Sequence, residues 1–494
     1  MSRLVVVSNR VALPKKVPAG GLAAAMQATL NERGGLWFGW SGRVVPERRR
    51  ELHQLHSGRV DYALLDLTRE EHDDYYTGFA NRTLWPLLHF RPSLIDYSRA
   101  QFTGYRRVNA LFAERLVRLL RPDDLIWIND YHLIPLGAEL RTRGVAARIG
   151  FFLHVPLPPA EMLVTLPHHE HLFRSLSDYD LVGMQTRRDV AALQDYLQRE
   201  RGASIGADGE ITFGNGRRFR VAAFPVGIDT EFIAGEAQRA AATPQVLKLV
   251  KNLEGCRLAI GVDRLDYSKG LPQRFIGFGA FLAEHPEWRS RLSLLQIAPP
   301  TREEVPEYGE LRERLEREAG ATNGRYAQPD WVPIRYVNRS FQQTTLAGFY
   351  RIADVGLVTP LRDGMNLVAK EYVAAQPPDD PGVLVLSRFA GAADELPQAI
   401  IINPLDPQDT VESLYAALTM PLTERKQRWQ AMYEHLREHN VHRWRAEYVR
   451  ALAGEAPPQP ERQADKAYWA PSGHQRSEAS SPRSAESAFG KNSM

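Results

Sequence analysis

The stretch Leu258-Ala259-Ile260-Gly261-Val262 runs directly into Asp263-Arg264-Leu265-Asp266-Tyr267-Ser268-Lys269-Gly270. Its first five residues form a continuous apolar run, which is typical of a parallel strand buried on both faces. Polar and charged residues follow at once, so they predict a loop at the carboxyl end of that strand. In doubly wound sheets, ligands bind at this end of the strands. The stretch therefore predicts an α/β fold and the place to look for its site.

Similar apolar runs recur along the chain, and the stretches between them carry apolar residues at helical spacing. Such alternation predicts parallel sheets with right-handed crossovers. The runs form two series, which predict two doubly wound units side by side with a cleft between their strand ends. The predicted strands are residues 4–7, 125–128, 149–153, 181–182 and 221–224 in the first series, and 258–262, 292–297, 334–337, 355–358, 383–386 and 400–402 in the second.

This pattern divides the chain into two domains and a tail. We predict a first domain over residues 1–230, with a long insert near residues 41–100, and a second domain over residues 231–456. Residues 457–494 are rich in Ser and Pro and nearly lack aliphatic residues. A segment of this composition cannot bury enough apolar surface to order itself, so a disordered tail is predicted.

The composition excludes several classes of protein. The 494 residues include 62 Lys and Arg against 59 Asp and Glu, and this net charge of +3 gives no overall signal for a nucleic-acid partner. The single cysteine, Cys256, excludes an internal disulfide framework. No apolar run approaches the ~18 residues of a membrane span, and residues 4–7 are too short for a signal peptide. We therefore expect a cytoplasmic enzyme without a membrane partner.

Two cations stand in the loop that follows residues 258–262. Arg264 and Lys269 at a strand end, near a helix N-terminus, form a receptor for a diphosphate. They can also stabilise the charge on a departing diphosphate without a metal. The alternative is a surface loop whose cations pair with Asp263 and Asp266.

A second loop of this kind follows residues 355–358. Asp363-Gly364 is a turn signal, and the backbone N–H groups of residues 366–368 begin a helix that can face a phosphate. Glu371 lies one turn further on, where its carboxylate could accept both vicinal hydroxyls of a ribose. The two loops together predict a nucleotide-sugar site, with Asp363 on the sugar hydroxyls.

The first series of strands offers weaker signals. Gly20-Gly21 precedes an Ala-rich helix, and it either lets backbone N–H groups approach a phosphate or forms an ordinary loop. Asp130 could accept sugar hydroxyls, cap a helix, or do both. His154 precedes a Pro-rich rigid loop, where it either positions chemistry or bonds a neighbouring carbonyl.

Several long motifs follow one another along the chain, at residues 7–10, 20–22, 35–42, 75–76, 84–86, 130–133, 150–154, 264–270 and 362–371. In this order they resemble the trehalose-6-phosphate synthase family over about residues 1–453. The resemblance implies the GT-B fold, with two Rossmann-like doubly wound domains facing each other across a catalytic cleft. It also implies transfer of glucose from a nucleoside diphosphate glucose to glucose 6-phosphate, with retention, giving α,α-trehalose 6-phosphate.

Carried over position by position, the resemblance implies an acceptor set and a donor set. The acceptor set is Arg10, Tyr76 and Arg302 near the phosphate, Trp85 beside them, and Asp130 on the hydroxyls. In the donor set, Gly20 and Gly21 approach through backbone amides and Phe341 lies at the base, while the remaining contacts are Asn366, Leu367, Val368, Ala369, Lys370 and Glu371. The implied catalytic residues are His154 and Asp363 on the glucosyl unit, and Arg264 and Lys269 on the diphosphate.

The family is thought to react on one face of the sugar, the leaving diphosphate taking the acceptor proton. No Asp-x-Asp motif accompanies the donor site. His168-His169-Glu170-His171 lacks the His-Glu-x-x-His spacing of a metalloenzyme; His168 and His171 alone could pair at i, i+3, but the segment favours a solvated helix over a metal site. We therefore predict no essential metal and no cofactor. UDP-glucose is the expected donor. No sequence motif identifies the nucleotide base, so donors that carry ADP or GDP remain alternatives. Self-association is expected from the family.

Three other functions compete with this interpretation. A related synthase with another phosphate acceptor would give glucosylglycerol phosphate, although Trp85 and Tyr76 favour a sugar ring. A glycoside or trehalose-phosphate hydrolase would need a paired acid and nucleophile, and Arg264 with Lys269 argues against it. A degenerate regulatory synthase would bind without turnover, but every matched position keeps its functional residue type.

Overall fold

The computed structural model describes residues 2–13, 21–47, 51–206, 209–302 and 304–456, without the side chains of residues 21–25 and 28. Gly20 and the predicted disordered tail at residues 457–494 lie outside the described residues. The part of the chain before the tail forms one compact unit. No helix among the described residues is both long enough and apolar enough to cross a membrane.

Ten strands form the first sheet, in the order β3-β4-β2-β1-β5-β6-β7-β10-β9-β8. The seven central strands are parallel, and antiparallel pairs stand at both edges, β3 with β4 and β9 with β10 and β8. The strands are β1 Leu4–Arg10, β2 Gly35–Val45, β3 His53–Ser57, β4 Val60–Thr68, β5 Leu125–Asn129, β6 Arg148–Phe152, β7 Leu181–Met184, β8 Ser204–Ile205, β9 Glu210–Thr212 and β10 Arg218–Ala223.

Six parallel strands form the second sheet, in the order β13-β12-β11-β14-β15-β16. Numbered from its own first strand, this order is 3-2-1-4-5-6, the order of a dinucleotide-binding doubly wound sheet. The strands β4, β2, β1, β5, β6 and β7 repeat this order in the first sheet. The strands are β11 Arg257–Val262, β12 Leu292–Ile297, β13 Ile334–Val337, β14 Val355–Val358, β15 Val383–Ser387 and β16 Ile400–Ile402.

Helices connect the strands, and a π-helical segment, Asp73–Leu84, lies between α2 and α3. Local signals start several of them: Thr186 and Asp189 form a capping box at α8, and Asn440 caps α18. The helices are α1 Gly21–Arg33, α2 Arg69–His72, α3 Trp85–Leu88, α4 Arg99–Val117, α5 Leu136–Thr142, α6 Ala160–Leu163, α7 His169–Arg174, α8 Arg187–Arg201, α9 Thr230–Ala240, α10 Pro244–Leu253, α11 Leu271–Glu284, α12 Pro306–Tyr326, α13 Gln343–Arg351, α14 Leu367–Ala375, α15 Ala392–Glu395, α16 Pro407–Thr419, α17 Leu422–Glu438 and α18 Val441–Ala453.

Each apolar run that the sequence predicts as a strand lies within a strand or overlaps one, so the two doubly wound units are confirmed. The predicted insert near residues 41–100 is different, because much of it belongs to the first sheet. β2 begins at Gly35 and pairs in parallel with both β1 and β4. β2 is rich in Gly and Trp instead of Val and Ile, so it lacks the aliphatic run that predicts the other central strands. The division at residues 230 and 231 falls between the two sheets and stays a prediction.

The last helix, α18, follows the second sheet in the chain but packs on the first. Its Tyr448 ring lies 4.5 Å from that of Trp127 on β5 and 5.3 Å from that of Phe152 on β6. Close approach is possible because Gly150 has no side chain: a Cβ there would lie 2.5 Å from the Tyr448 hydroxyl. The end of the chain's described part therefore ties the two sheets together.

Removing apolar volume from α18 tests this contact. Leu452 is fully buried, so Leu452→Ala should lower the free energy of unfolding by about 2–5 kcal/mol. Leu405 is 62% exposed, and Leu405→Ala is the matched control, with an expected change of about 0.5 kcal/mol or less. Denaturant unfolding followed by tryptophan fluorescence measures both. Equal effects of the two substitutions would contradict the packing of α18.

Candidate active site

The strand order places the candidate site residues at the switch point of each sheet. Neighbouring strands β1 and β5 end at Arg10 and just before Asp130. Neighbouring strands β11 and β14 lead into the loops that carry Arg264 and Asp363. Ligands of doubly wound sheets bind at such points, outside the carboxyl ends of the strands. The fold therefore gathers the predicted residues into two groups, one for each sheet.

The two groups meet at Arg302, which follows β12. Its guanidinium lies 3.8 Å from the ring of Trp85 on α3, and Nη2 lies 3.2 Å from the hydroxyl of Tyr131 after β5. On its own side, Nη1 donates to Asp266 Oδ2 at 2.9 Å and to the Tyr308 hydroxyl at 2.7 Å. Arg302 therefore contacts both halves of the molecule, and the two strand-end groups face one cleft.

Charge is balanced around this junction by Asp266. Its side chain is fully buried, so burial alone would raise its pKa, yet the guanidinium groups of Arg302 and Arg264 hold that pKa below its usual range. Arg264 is exposed and lies 5.6 Å from the Trp85 ring. The Trp85 ring thus faces two guanidinium groups, from two different loops of the second sheet.

Lys269 and Asp363 form a second pair at the same edge of the second sheet. Lys269 Nζ is 2.5 Å from Asp363 Oδ2, and Asn366 Nδ2 donates to the same oxygen at 2.9 Å. Burial opposes ionisation, but the Lys269 ammonium lowers the pKa of Asp363. The next residue, Gly364, fits tightly against the other sheet, since a Cβ there would lie 2.2 Å from the His154 carbonyl oxygen.

A continuous row of aromatic rings, most of them buried, runs from Arg10 to Arg302 on the first-sheet side of the cleft. The Arg10 guanidinium lies 6.0 Å from the Trp40 ring, and the row continues through Tyr76 at 5.7 Å. His132 then stacks on Tyr76 at 5.8 Å, and the row passes through Tyr131 to Trp85 and Arg302. Aromatic faces suit pyranose rings, and a guanidinium at each end of the row suits an anion.

Asp130 and His154 stand side by side at the ends of β5 and β6. Asp130 Oδ1 accepts from the His154 backbone N–H at 3.2 Å. Burial raises the pKa of Asp130 to about 6, although backbone N–H groups, Arg264 and Arg302 oppose the rise. The residue has a φ of 75°, a conformation that non-glycine residues rarely adopt. The carboxylate is therefore held in a special geometry at the strand end.

Helix α14 presents its N-terminus at the same edge of the second sheet. Leu367 and Val368 are partly exposed there, whereas the Ala369 N–H is taken by its N-cap, Asn366. Glu371 is buried, and Gln343 Nε2 lies 3.4 Å from its Oε1. Two residues before Gln343, Phe341 packs edge-on against Phe349 at 5.4 Å.

Lys370 is placed differently from the other predicted donor residues. Its ammonium is fully buried, donates to the Val226 carbonyl oxygen at 2.8 Å and pairs with Glu395. This side chain is therefore committed within the protein. Gly21 begins α1 as predicted, while Gly20 lies outside the described residues.

Histidine and carboxylate groups show one possible ligand set for a metal in the described part of the chain. Atoms of His72, Asp73 and Glu304 lie within 4.8 Å of one another, but the two carboxylates are exposed. His72 Nδ1 already bonds Asp73 Oδ1 at 3.0 Å, so we assign the group no role. His168 stacks on Phe102 at 5.7 Å. The absence of an essential metal stays a prediction.

Several residues of the cleft were missed by the sequence reasoning. Tyr131 follows the end of β5, and its position after a predicted strand is a signal that could have marked it. Trp40 lies in the middle of β2, beside Arg10 at the end of β1, and only the pairing of these strands places it at the cleft. Asp266 was considered only as a partner that would neutralise Arg264 and Lys269, whereas it bonds Arg302 from a loop 36 residues away. Contacts between distant loops leave no local signal in the sequence.

Two doubly wound sheets that meet at a cation-rich cleft are typical of a glycosyltransferase of the GT-B class. The chain belongs to glycosyltransferase family 20, whose model matches residues 6–454. This confirms the family that the sequence motifs indicated.

The most similar proteins agree with this membership. The chain is 50% identical over 457 residues to the trehalose-6-phosphate synthase of Sinorhizobium fredii, covering 92% of this chain and 98% of that one. It is similar to the UDP-forming α,α-trehalose-phosphate synthase of Burkholderia vietnamiensis, with 48% identity, a TM-score of 0.90, and coverage of 92% and 97%. The corresponding enzyme of Burkholderia xenovorans, solved in complex with glucose 6-phosphate, has 47% identity, a TM-score of 0.89, and coverage of 92% and 100%.

The burial of Glu371 makes stability depend on pH. Burial raises the pKa of Glu371 from 4.5 to about 7. Between these pH values the folded protein keeps a proton on Glu371 that the unfolded chain has lost. The contribution of Glu371 to the free energy of unfolding is therefore highest below pH 4.5 and falls as the pH rises towards 7. Glu371→Gln should therefore raise the free energy of unfolding at pH 8, by up to about 3 kcal/mol.

The measurement is thermal unfolding of wild type and Glu371→Gln at pH 5 and pH 8. The stabilisation should be present at pH 8 and nearly absent at pH 5. Glu313→Gln, at an exposed position, is the control and should change neither value. A stabilisation that does not depend on pH would show that Glu371 is not a buried acid.

Proposed function

We propose that the protein transfers glucose from UDP-glucose to glucose 6-phosphate, giving α,α-trehalose 6-phosphate and UDP. The observation that carries the proposal is the pair of guanidinium groups, Arg264 and Arg302, that share the Trp85 ring between the two sheets. One belongs to the predicted diphosphate loop and the other to the predicted acceptor-phosphate loop. A transferase needs two phosphorylated substrates close together, and this arrangement supports that need.

The donor is assigned to the second sheet. Arg264 and Lys269 hold the diphosphate, the N-terminus of α14 faces it with the N–H groups of residues 366–368, and Glu371 accepts the ribose hydroxyls. Phe341 lies at the base. The two similar Burkholderia enzymes of known structure described above are named UDP-forming, which supports UDP over ADP and GDP.

The acceptor is assigned to the aromatic row of the first sheet. Arg10, Tyr76 and Arg302 bind the phosphate, Trp85 lies against the sugar, and Asp130 accepts its hydroxyls. A relative was solved with glucose 6-phosphate, and the relatives are named for trehalose 6-phosphate, which supports this acceptor over glycerol 3-phosphate. A cytoplasmic location and self-association stay predictions.

The chemistry proceeds on one face of the glucose. The bond from the anomeric carbon to the diphosphate breaks, the acceptor oxygen bonds to that carbon, and the acceptor proton passes to the leaving phosphate oxygen. Asp363 is paired with Lys269 and Asn366, and Asp130 with a backbone N–H, so neither is set up as a free nucleophile. Arg264 and Lys269 stabilise the negative charge that develops on the departing diphosphate.

Substitution of Arg302 tests the acceptor assignment. Arg302→Lys keeps a positive charge beside Asp266 but loses the planar fork that grips phosphate. The KM for glucose 6-phosphate should rise by about 10- to 100-fold, because one charge-assisted hydrogen bond to the phosphate is lost. The KM for UDP-glucose should stay nearly constant. Initial rates of UDP release measure both, with the exposed Arg314→Lys as control. An unchanged KM for glucose 6-phosphate would remove Arg302 from the acceptor site.

Substitution of Lys269 tests the diphosphate assignment. Lys269→Ala should lower kcat by about 100-fold or more, because a charge that stabilises the leaving group is lost. The exposed Lys251→Ala is the matched control and should keep wild-type rates. Circular dichroism of both variants shows whether the chain remains folded. Near-normal turnover of folded Lys269→Ala would refute the diphosphate role.

A further inference from the structure

His154 faces the cleft directly after β6, and neutral amides occupy both nitrogens of its ring. Nε2 lies 3.0 Å from Asn129 Oδ1, and Nδ1 lies 3.4 Å from Gln185 Nε2. Within the described ranges of the chain, these two amides are the side chains that hydrogen-bond the ring. Both ring nitrogens of His154 are therefore engaged within the protein.

Backbone groups determine which way each amide points. Val226 N–H donates to Gln185 at 3.1 Å, so the oxygen of that amide faces Val226 and the NH₂ group faces His154. Asn129 Nδ2 donates to the carbonyl oxygens of Val7 and Trp127, at 3.2 Å and 3.3 Å, so its oxygen faces His154. A backbone N–H can only donate and a carbonyl can only accept. Both chains of bonds therefore require a proton on Nε2 and a lone pair on Nδ1.

We infer that Gln185 is a positioning residue for the transfer reaction: with Asn129, it holds the His154 imidazole neutral, in the Nε2–H tautomer and in one orientation. The inference rests on the proposed function, with His154 on the glucosyl unit as the family resemblance implies. Gln185 directly follows β7 and is 2% exposed, so its amide has little freedom to turn.

A neutral ring at this point suits the chemistry. The anomeric carbon gains positive charge as a glycosyl group leaves. An imidazolium beside it would oppose that charge, whereas a neutral ring with both nitrogens engaged neither repels the carbon nor takes up the acceptor proton. His154 then shapes the site without acting as an acid or a base.

The surroundings of the ring support the neutral state. Phe152 lies 4.5 Å from it and Trp444, on α18, lies 6.3 Å away. The nearest carboxylate contact, from Asp130, is to the backbone N–H of His154 and not to the ring. Burial lowers the pKa of His154 to about 3.

Gln185 also connects this ring to the segment between the two sheets. Val226 lies between β10 and α9, and its N–H bonds Gln185 of the first sheet while its carbonyl accepts from Lys370 of α14. The segment is thus held from both sides by buried polar groups. A change in the position of α14 would reach His154 through three hydrogen bonds, from Lys370 to Val226, from Val226 to Gln185 and from Gln185 to the ring.

The direct test is NMR of the imidazole nitrogens in the full-length wild type labelled with [¹⁵N]histidine, the His154 signal being assigned with a His154→Gln variant. We expect a protonated Nε2, an unprotonated Nδ1, and no change in either between pH 6 and 8. An Nδ1–H tautomer, or a titration in that range, would overturn the inference. The NMR measurement does not need turnover. It can therefore contradict the inferred tautomer while the proposed transfer reaction is observed, or support the tautomer while no transfer is observed.

Two variants separate the roles of Gln185. Gln185→Glu keeps an acceptor for Val226 N–H but presents an acceptor to His154, so Nδ1 should become protonated and kcat should fall by about 10- to 100-fold with little change in KM. Gln185→Met removes both bonds and should lower kcat without protonating Nδ1 at pH 8. Gln198→Glu, exposed on α8, is the control with wild-type kinetics. Wild-type kcat in folded Gln185→Glu, or an unchanged Nδ1, would contradict the inference.

Discussion

The contact of Arg302 with Trp85 is the interaction on which the site depends. A guanidinium that is 6% exposed loses most of its hydration, which costs several kcal/mol unless partners replace it. Asp266 and Tyr308 supply partners from the second sheet, and Trp85 and Tyr131 supply them from the first. Because both sheets contribute, the Arg302 guanidinium has all four of these partners only when the two halves are together. The cleft and the interface between the sheets are therefore one structure.

Strain and charge accumulate in the same place. Asp130, Arg302 and Asn366 have φ values of 75°, 48° and 74°, in a region that costs non-glycine residues of order 1 kcal/mol or more. In our account, Asp266 and Asp363 neutralise Arg302 and Lys269 until substrate phosphates arrive. Buried aromatic and aliphatic cores on both sheets offset these costs, and α18 joins the cores by returning from the second sheet to the first.

Much of the fold could be predicted from the sequence because buried parallel strands have a simple signature. Residues 258–262 and 355–358 are aliphatic on both faces, and they are strands with Arg264 and Asp363 at their ends. β2 lacks that signature. Its glycines allow the neighbouring strand β1 to approach closely, and its Trp40 packs beside Arg10 and Tyr76 at the cleft. The sequence motifs also identified most of the candidate site residues one by one. They could not predict which of these residues contact each other, because contacts such as Lys370 with Val226 and Asp266 with Arg302 join loops that are distant in the sequence.

The central claim is that cations of both sheets converge on two phosphorylated substrates in one cleft. A crystal structure of the protein with UDP and glucose 6-phosphate tests it most directly. We expect the diphosphate within about 3 Å of the Arg264 and Lys269 nitrogens and the sugar phosphate equally close to Arg302. The Lys269 ammonium should contact the diphosphate in place of the Asp363 carboxylate. Either phosphate bound away from these residues, with Arg302 still committed only to Asp266, would contradict the account.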